Sequence, residues 1–143
     1  MRRIDVADPP FAAPLRAVDE VSVLETDGGF QLRAVKRIDV DDEYQPAHFP
    51  SLVIYPGVFI IETLLQATAL ALGGAAAAPP EIREVRSVRF LAPLFANDTL
   101  TLEATVHNGP HGTFDVDAAC HRGDGRLAAR LKVLLWRREV RDA

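Results

Sequence analysis

The sequence predicts an α+β domain in which an antiparallel sheet covers one long buried helix, and three observations carry that prediction. Positions 58 to 72 run apolar with a single charged side chain, Glu62. Positions 85 to 135 alternate apolar and polar residues in segments separated by turn signals. A further pair of alternating segments near the N-terminus flanks the turn signal at Thr26 to Gly29. A helix that is apolar all round has to be enclosed by protein, and period-two strands supply a half-apolar sheet that can enclose it.

In chain order, the first twenty residues hold Pro9, Pro10 and Pro14, so residues 1–15 read as an irregular arm. Val21 to Glu25 and Phe30 to Ile38 form a candidate hairpin across the Asp-Gly-Gly turn. Residues 41 to 56 carry three prolines and no sustained period, which makes them a loop that feeds the helix. The helix is expected to start at Pro56 or Gly57, where proline suits the first turn, and to stop at Gly73 and Gly74. Ala75 to Pro80 reads as a linker. The alternating sets that follow are Val85 to Phe90; Leu100, Leu102, Ala104 and Val106; Phe114, Val116, Ala118 and Cys120; and Leu127, Ala129, Leu131, Val133 and Leu135. Asn108 to Pro110 and Arg122 to Gly125 punctuate them as turns. With 143 residues and no internal repeat, the chain fits one domain, 1–143.

Composition narrows the function classes. Sixteen basic residues against twenty acidic ones give a net charge of -4, which argues against general nucleic-acid binding. A single cysteine, Cys120, excludes an internal disulfide framework, and with no basic-then-apolar leader the expected compartment is the cytoplasm. The apolar stretch raises a membrane-spanning reading, but Glu62 and Gln66 would then lie in hydrocarbon and a glycine pair would break the segment, so no membrane association is expected. His107 and His111 are four apart, yet Gly109 and Pro110 prevent a helical pairing, and His121 falls at another strand end, so no metal site is expected. Cys120 on the apolar side of its strand reads as an inert packed thiol, and Trp136 as a packing residue.

A carboxylate in surroundings as apolar as those of Glu62 loses several kcal/mol of hydration unless it is paired, hydrogen-bonded or protonated. Glu62 is therefore the leading candidate for chemistry. The triplet His48, Phe49, Pro50, then Pro56, Gly57, Val58, then Ile60, Ile61, Glu62, with Gln66 one turn later, resembles the active-site signature of FabZ-type 3-hydroxyacyl-acyl-carrier-protein dehydratases. The likeness continues through Val85 to Phe90, Pro93 and Asp98 to Leu102, and more loosely through Ala34 to Arg37. It implies the hotdog fold, in which an antiparallel sheet wraps a central helix. It also implies a homodimer or higher oligomer of dimers, or a heterodimer with a related subunit, whose sites combine residues of two chains. The implied partner is acyl carrier protein, which presents the substrate on its phosphopantetheine arm, with no further cofactor.

The chemistry asks for these residue types. Dehydrating a 3-hydroxyacyl thioester to the trans-2-enoyl thioester means removing a weakly acidic α-proton and expelling hydroxide, which leaves poorly unless protonated. A neutral imidazole suits the first task and a carboxyl group in a dry setting suits the second, so His48 is assigned as base and Glu62 as acid or water-orienting group. The backbone N–H of Gly57, at the positive end of the helix, is the candidate donor to the developing enolate oxygen. Gln66, at i+4 from Glu62, shares its helix face and is the candidate holder of its carboxyl group.

Where the family commonly has other residues, this chain carries Pro46, Ala47, Ser51 and Val53 around the His48 loop and Asn97 before Asp98. Those changes bear on substrate shape more than on reaction type, and Asn tolerates a left-handed turn. Two rival readings share the fold: an acyl-thioesterase, and a non-catalytic subunit that binds acyl carrier protein or pairs with an active dehydratase. Arg83, Arg86 and Arg89, with Arg137 and Arg138, form a candidate positive patch for docking an acidic carrier protein.

Overall fold

The computed structural model describes residues 1–4, 16–39, 55, 57–73 and 79–138. Its elements are strands β1 (Arg2–Ile4), β2 (Glu20–Thr26) and β3 (Gly29–Arg37), helix α1 (Gly57–Ala71), and strands β4 (Glu81–Phe90), β5 (Thr99–Asn108), β6 (Thr113–Arg122) and β7 (Leu127–Trp136). The strands form one sheet in the order β1-β2-β3-β5-β6-β7-β4, antiparallel throughout. This is the hotdog arrangement: the chain leaves the sheet after β3, runs through α1, lays β4 on the far edge beside β7, and returns to the centre as β5.

Period-two patterning decides which face meets the helix. Leu102, Ala104 and Val106 of β5 stand opposite Cys120, Ala118 and Val116 of β6, which in turn face Ala129, Leu131 and Val133 of β7. All are buried, and they form one core with Leu32 and Ala34 of β3 and Ile60, Leu64 and Ala67 of α1. Truncating a leucine in such a core costs about 2–5 kcal/mol. The β2–β3 hairpin closes through Asp27 and Gly28, where Gly28 adopts φ +76°, a conformation that glycine reaches without strain. Asn97 sits at φ 70°, the left-handed geometry its residue type tolerates.

One expectation needs correction. Residues 2–4 are not irregular: they pair with β2 in the register Arg2 with Val23, Arg3 with Ser22 and Ile4 with Val21. Three residues are too few to show a period in sequence, and the hydrogen bonds of an existing strand edge suffice to order them. The remainder of the expected arm, 5–15, lies outside the described residues.

At the opposite edge, β4 pairs with β7 and is open to solvent on both faces apart from Ile82 and Val88, which are half-buried. Its register slips between Ile82 and Glu84 and again between Val85 and Ser87, local irregularities that twist a strand edge. The exposed large apolar residues include Val85, Phe90 and Leu91 on and just after this strand and Val58 at the helix start.

The far end of α1 is tied to the sheet by Arg137, whose Nη1 donates to the Leu72 carbonyl at 3.0 Å while its guanidinium lies over the Phe114 ring at 5.8 Å. A cation at a helix C-terminus meets the negative end of the helix dipole. Among the described residues, no helix is long and apolar enough to cross a membrane, and no cluster of three or more His, Cys, Asp or Glu side chains could hold a metal ion.

Candidate active site

Gly57 opens α1, and Glu62, Thr63 and Gln66 follow on its second and third turns. The sheet covers the side of the helix that bears Ile60, Thr63, Leu64 and Ala67, all buried. Val58, Glu62 and Leu65 form the stripe turned away from it: Val58 is 63% exposed, and Glu62 and Leu65 are half-buried. The full burial that the sequence implied for Glu62 is therefore not met within one chain, because one sheet face encloses only one side of the helix.

Gln66 is 3% exposed and donates from Nε2 to Glu62 Oε1 at 3.0 Å, the pairing expected from their i,i+4 spacing. Its amide oxygen is engaged as well, accepting the backbone N–H of Ala17 at 2.9 Å. The Ala17 carbonyl accepts the Thr63 hydroxyl at 2.7 Å, and Thr63 Oγ1 lies 3.2 Å from the Tyr55 hydroxyl. A hydroxyl has one proton to give, so with Thr63 donating to Ala17, the Tyr55 proton is shared between Thr63 Oγ1 and the Phe59 carbonyl, 3.3 Å away. Buried polar groups linked this way avoid the penalty of an unmade hydrogen bond and fix one another's orientation. Nothing in the sequence singles out Ala17, because its contribution comes from the main chain alone.

Beside the helix start lies a groove of about 340 Å³ lined by Tyr55, Gly57, Ile60, Phe90, Leu91 and Pro93 among others. Its walls are almost wholly apolar, as suits an alkyl chain or thioester arm. Tyr55 is anchored by its backbone N–H to the Leu94 carbonyl at 2.7 Å. Gly57 faces the Phe90 ring so closely that a Cβ built on it would stand 2.8 Å from Phe90 Cζ. Glycine here permits contact with an aromatic ring of the same chain, a partner the sequence did not single out. The Pro93 carbonyl on the groove's rim accepts Arg122 Nη1 at 3.1 Å, and Arg122 also grips Asp124, whose carboxyl its hydrogen bond lowers to about 2.

His48 lies outside the described residues, as do Pro46, Ala47, Ser51, Val53 and Pro56 of the same loop. Of the four predicted site residues, the structure places Gly57, Glu62 and Gln66 on α1 and joins Glu62 to Gln66, while Gly57 lines the groove. It also qualifies the docking patch. Arg86 is ion-paired with Asp115 and lies 3.8 Å from Glu84, Arg83 sits over Trp136, and Arg137 holds the helix end. Cys120 is buried as expected, and burial pushes its thiol up to about 12.

A family model described as the FabA-like domain matches residues 10–131. Among curated proteins, the 3-hydroxyacyl-[acyl-carrier-protein] dehydratase FabZ of Psychromonas ingrahamii is 31% identical over 137 residues, covering 92% of this chain and 89% of that one. Among solved structures, the dehydratase heterocomplex ApeI:P from Xenorhabdus doucetiae is similar with a TM-score of 0.64 at 20% identity, over 84% of this chain and 98% of that one. A putative thioesterase, yhdA from Lactococcus lactis, reaches a TM-score of 0.65 at 8% identity, over 87% of this chain and 94% of that one. These last two likenesses speak to the fold alone, which both reaction classes use.

Proposed function

We propose, starting from a chain that belongs to the family of FabA-like domains, that it removes water from a 3-hydroxyacyl thioester carried on acyl carrier protein to give the trans-2-enoyl thioester. The observation that carries this reading is the carboxyl group of Glu62, held by Gln66 on an otherwise apolar helix whose first residue, Gly57, lines an apolar groove. In the elimination, His48 takes the α-proton and the C–H electron pair becomes the new Cα–Cβ double bond. The Cβ–O bond breaks as Glu62 gives its proton to the departing hydroxyl, which leaves as water. The helix-start N–H of Gly57 stabilises negative charge gathering on the thioester oxygen. Base, acid and donor complete the proton and electron balance, so the reaction needs no metal or nucleotide.

The open β4 edge and the uncovered stripe of Val58, Glu62 and Leu65 support an assembly in which a second subunit, identical or related, closes the site. Two-chain sites would let His48 of one subunit work with Glu62 of the other. The single, buried Cys120 fits a cytoplasmic setting.

The test is turnover of a 3-hydroxyacyl carrier-protein thioester by His48→Ala and Glu62→Gln variants. Each is expected to lose roughly 10²-fold or more while staying folded, the usual scale for general acid or base catalysis. Mixing the two inactive variants should regenerate activity, since a mixed dimer retains one intact site. Near-normal rates in folded Glu62→Gln would overturn the assignment of Glu62, and release of free acid instead of enoyl product would overturn the reaction class.

A further inference from the structure

Gln66 stands between two groups of opposite demand. A backbone N–H can only donate, so the Gln66 atom facing Ala17 at 2.9 Å is its amide oxygen. The amide nitrogen is then directed to Glu62 Oε1, at 3.0 Å. Ala17 cannot shift freely to release this arrangement: it is 0% exposed, and its carbonyl is held by Thr63 at 2.7 Å one helical turn before Gln66. Flipping the amide would set oxygen against the Glu62 carboxyl and nitrogen against the Ala17 N–H, losing two hydrogen bonds in a buried place.

We propose that the Ala17 main chain acts as a template that fixes the Gln66 amide and, through it, the site of the acidic proton on Glu62. Because Oε1 always faces an N–H donor, it is always an acceptor, and a protonated Glu62 carries its hydrogen on Oε2. The proton is thereby kept on one oxygen, and the same Gln66 N–H stabilises the carboxylate left once that proton has gone. Gln66 is a positioning residue and Ala17 its support. This inference rests on the proposed dehydration, and the residues that carry it lie 49 positions apart in sequence.

The experiment compares Gln66→Glu with Gln66→Leu and with a backbone ester at position 17, in which lactic acid replaces alanine so that oxygen stands where the N–H was. In Gln66→Glu the Ala17 N–H still has its acceptor, but Glu62 Oε1 now meets a second carboxyl group. Two carboxyl groups so close share a proton, and the neighbour's charge favours the protonated form. Dehydration consumes the Glu62 proton, so a second carboxyl group beside it is expected to move the alkaline limb of the kcat profile to higher pH in Gln66→Glu. The plateau should fall roughly tenfold or more, with KM nearly unchanged, since the proton is trapped between positions 62 and 66. Gln66→Leu removes the N–H that stabilises the Glu62 carboxylate, so it too lowers the plateau and moves that limb upward, and it leaves the Ala17 N–H without its acceptor. The ester frees the amide to flip and lowers kcat in a protein that still has Gln66. Lys36 of β3, a buried charged group on the strands packed against α1, is common to all variants and cancels in the comparison.

A folded Gln66→Glu protein with wild-type plateau and limb, or an ester variant with wild-type kcat, would overturn the template. If wild-type protein shows no dehydration, or Glu62→Gln retains full rate, the parent reading has failed instead. Should Gln66→Glu not fold, the ester variant alone decides.

Discussion

Gly57→Ala separates two reasons for a glycine at the helix start. The added Cβ would lie 2.8, 2.9 and 3.0 Å from three atoms of the Phe90 ring. Ordinary carbon contacts begin near 3.5 Å, so the ring has to retreat by roughly 0.7 Å. Phe90 ends the open edge strand and is 52% exposed, which makes that retreat cheap. Alanine also gains up to about 1 kcal/mol of helix propensity over glycine. The two effects offset, and stability should change by less than about 1 kcal/mol, a shift of no more than about 4 °C in Tm for a chain of this length. Turnover is another matter. If the thioester approaches the Gly57 N–H, the methyl group stands in its path, and loss of one such donor costs about 10²–10³-fold in kcat. Thermal melts and the ultraviolet absorbance of the enoyl thioester, with a pantetheine-linked 3-hydroxyacyl substrate, measure both quantities. The double variant Gly57→Ala, Phe90→Ala supplies the control, because it makes room for the methyl group without clearing the substrate's path. Full turnover in folded Gly57→Ala would refute the close approach of substrate to this N–H. Recovery in the double variant would show that the glycine serves only its contact with Phe90.

Two further expectations concern the scaffold. Arg137→Ala removes a charged donor from the Leu72 carbonyl and a cation from the Phe114 ring, so it should cost about 1–3 kcal/mol in a urea melt; an unchanged midpoint would mean that the helix end finds another partner, and it would return Arg137 to the candidates for carrier-protein docking. Cys120, with a thiol raised to about 12 by burial, should resist a thiol reagent at pH 8 in folded protein and react once the chain is unfolded in denaturant, and prompt reaction in the folded state would contradict its burial.

Much of this architecture was legible because it is written in side-chain periods. Alternation at Leu100 to Val106 and at Leu127 to Leu135 identified strands, the Asp-Gly-Gly turn identified a hairpin, and the apolar run around Glu62 identified the helix. The Glu62–Gln66 bond followed from helical spacing alone. What escaped has a common cause: it depends on tertiary placement or on backbone. Ala17 acts through N–H and C=O groups that every non-proline residue carries, and its register against α1 is set by the hairpin that follows it. Phe90 meets Gly57 only because β4 is laid at the far edge of the sheet and ends beside the helix start. Arg137 read as a docking charge since nothing in the sequence places Leu72 next to it. Three residues at Arg2 to Ile4 are too short to announce a strand.

The hotdog scaffold does not choose the reaction, since a putative thioesterase shares it at a TM-score of 0.65. The choice lies in what the carboxyl group on the helix is arranged to do. An acid that serves elimination has to present one proton in one direction and then stand as a carboxylate until it is reprotonated. A donor fixed on Oε1 is compatible with both states: it donates to the carbonyl oxygen of the neutral group and to the charged oxygen of the ionised one, so no neighbour has to turn as the proton leaves Oε2. Gln66 can be that donor only because Ala17 claims its oxygen, and Ala17 is held in place by Thr63 from the same helix. On the proposed assignment the helix supplies the acid, its holder, and the hydroxyl that pins the holder's support, and preorganisation of this kind lowers a barrier because nothing has to reorient during the step.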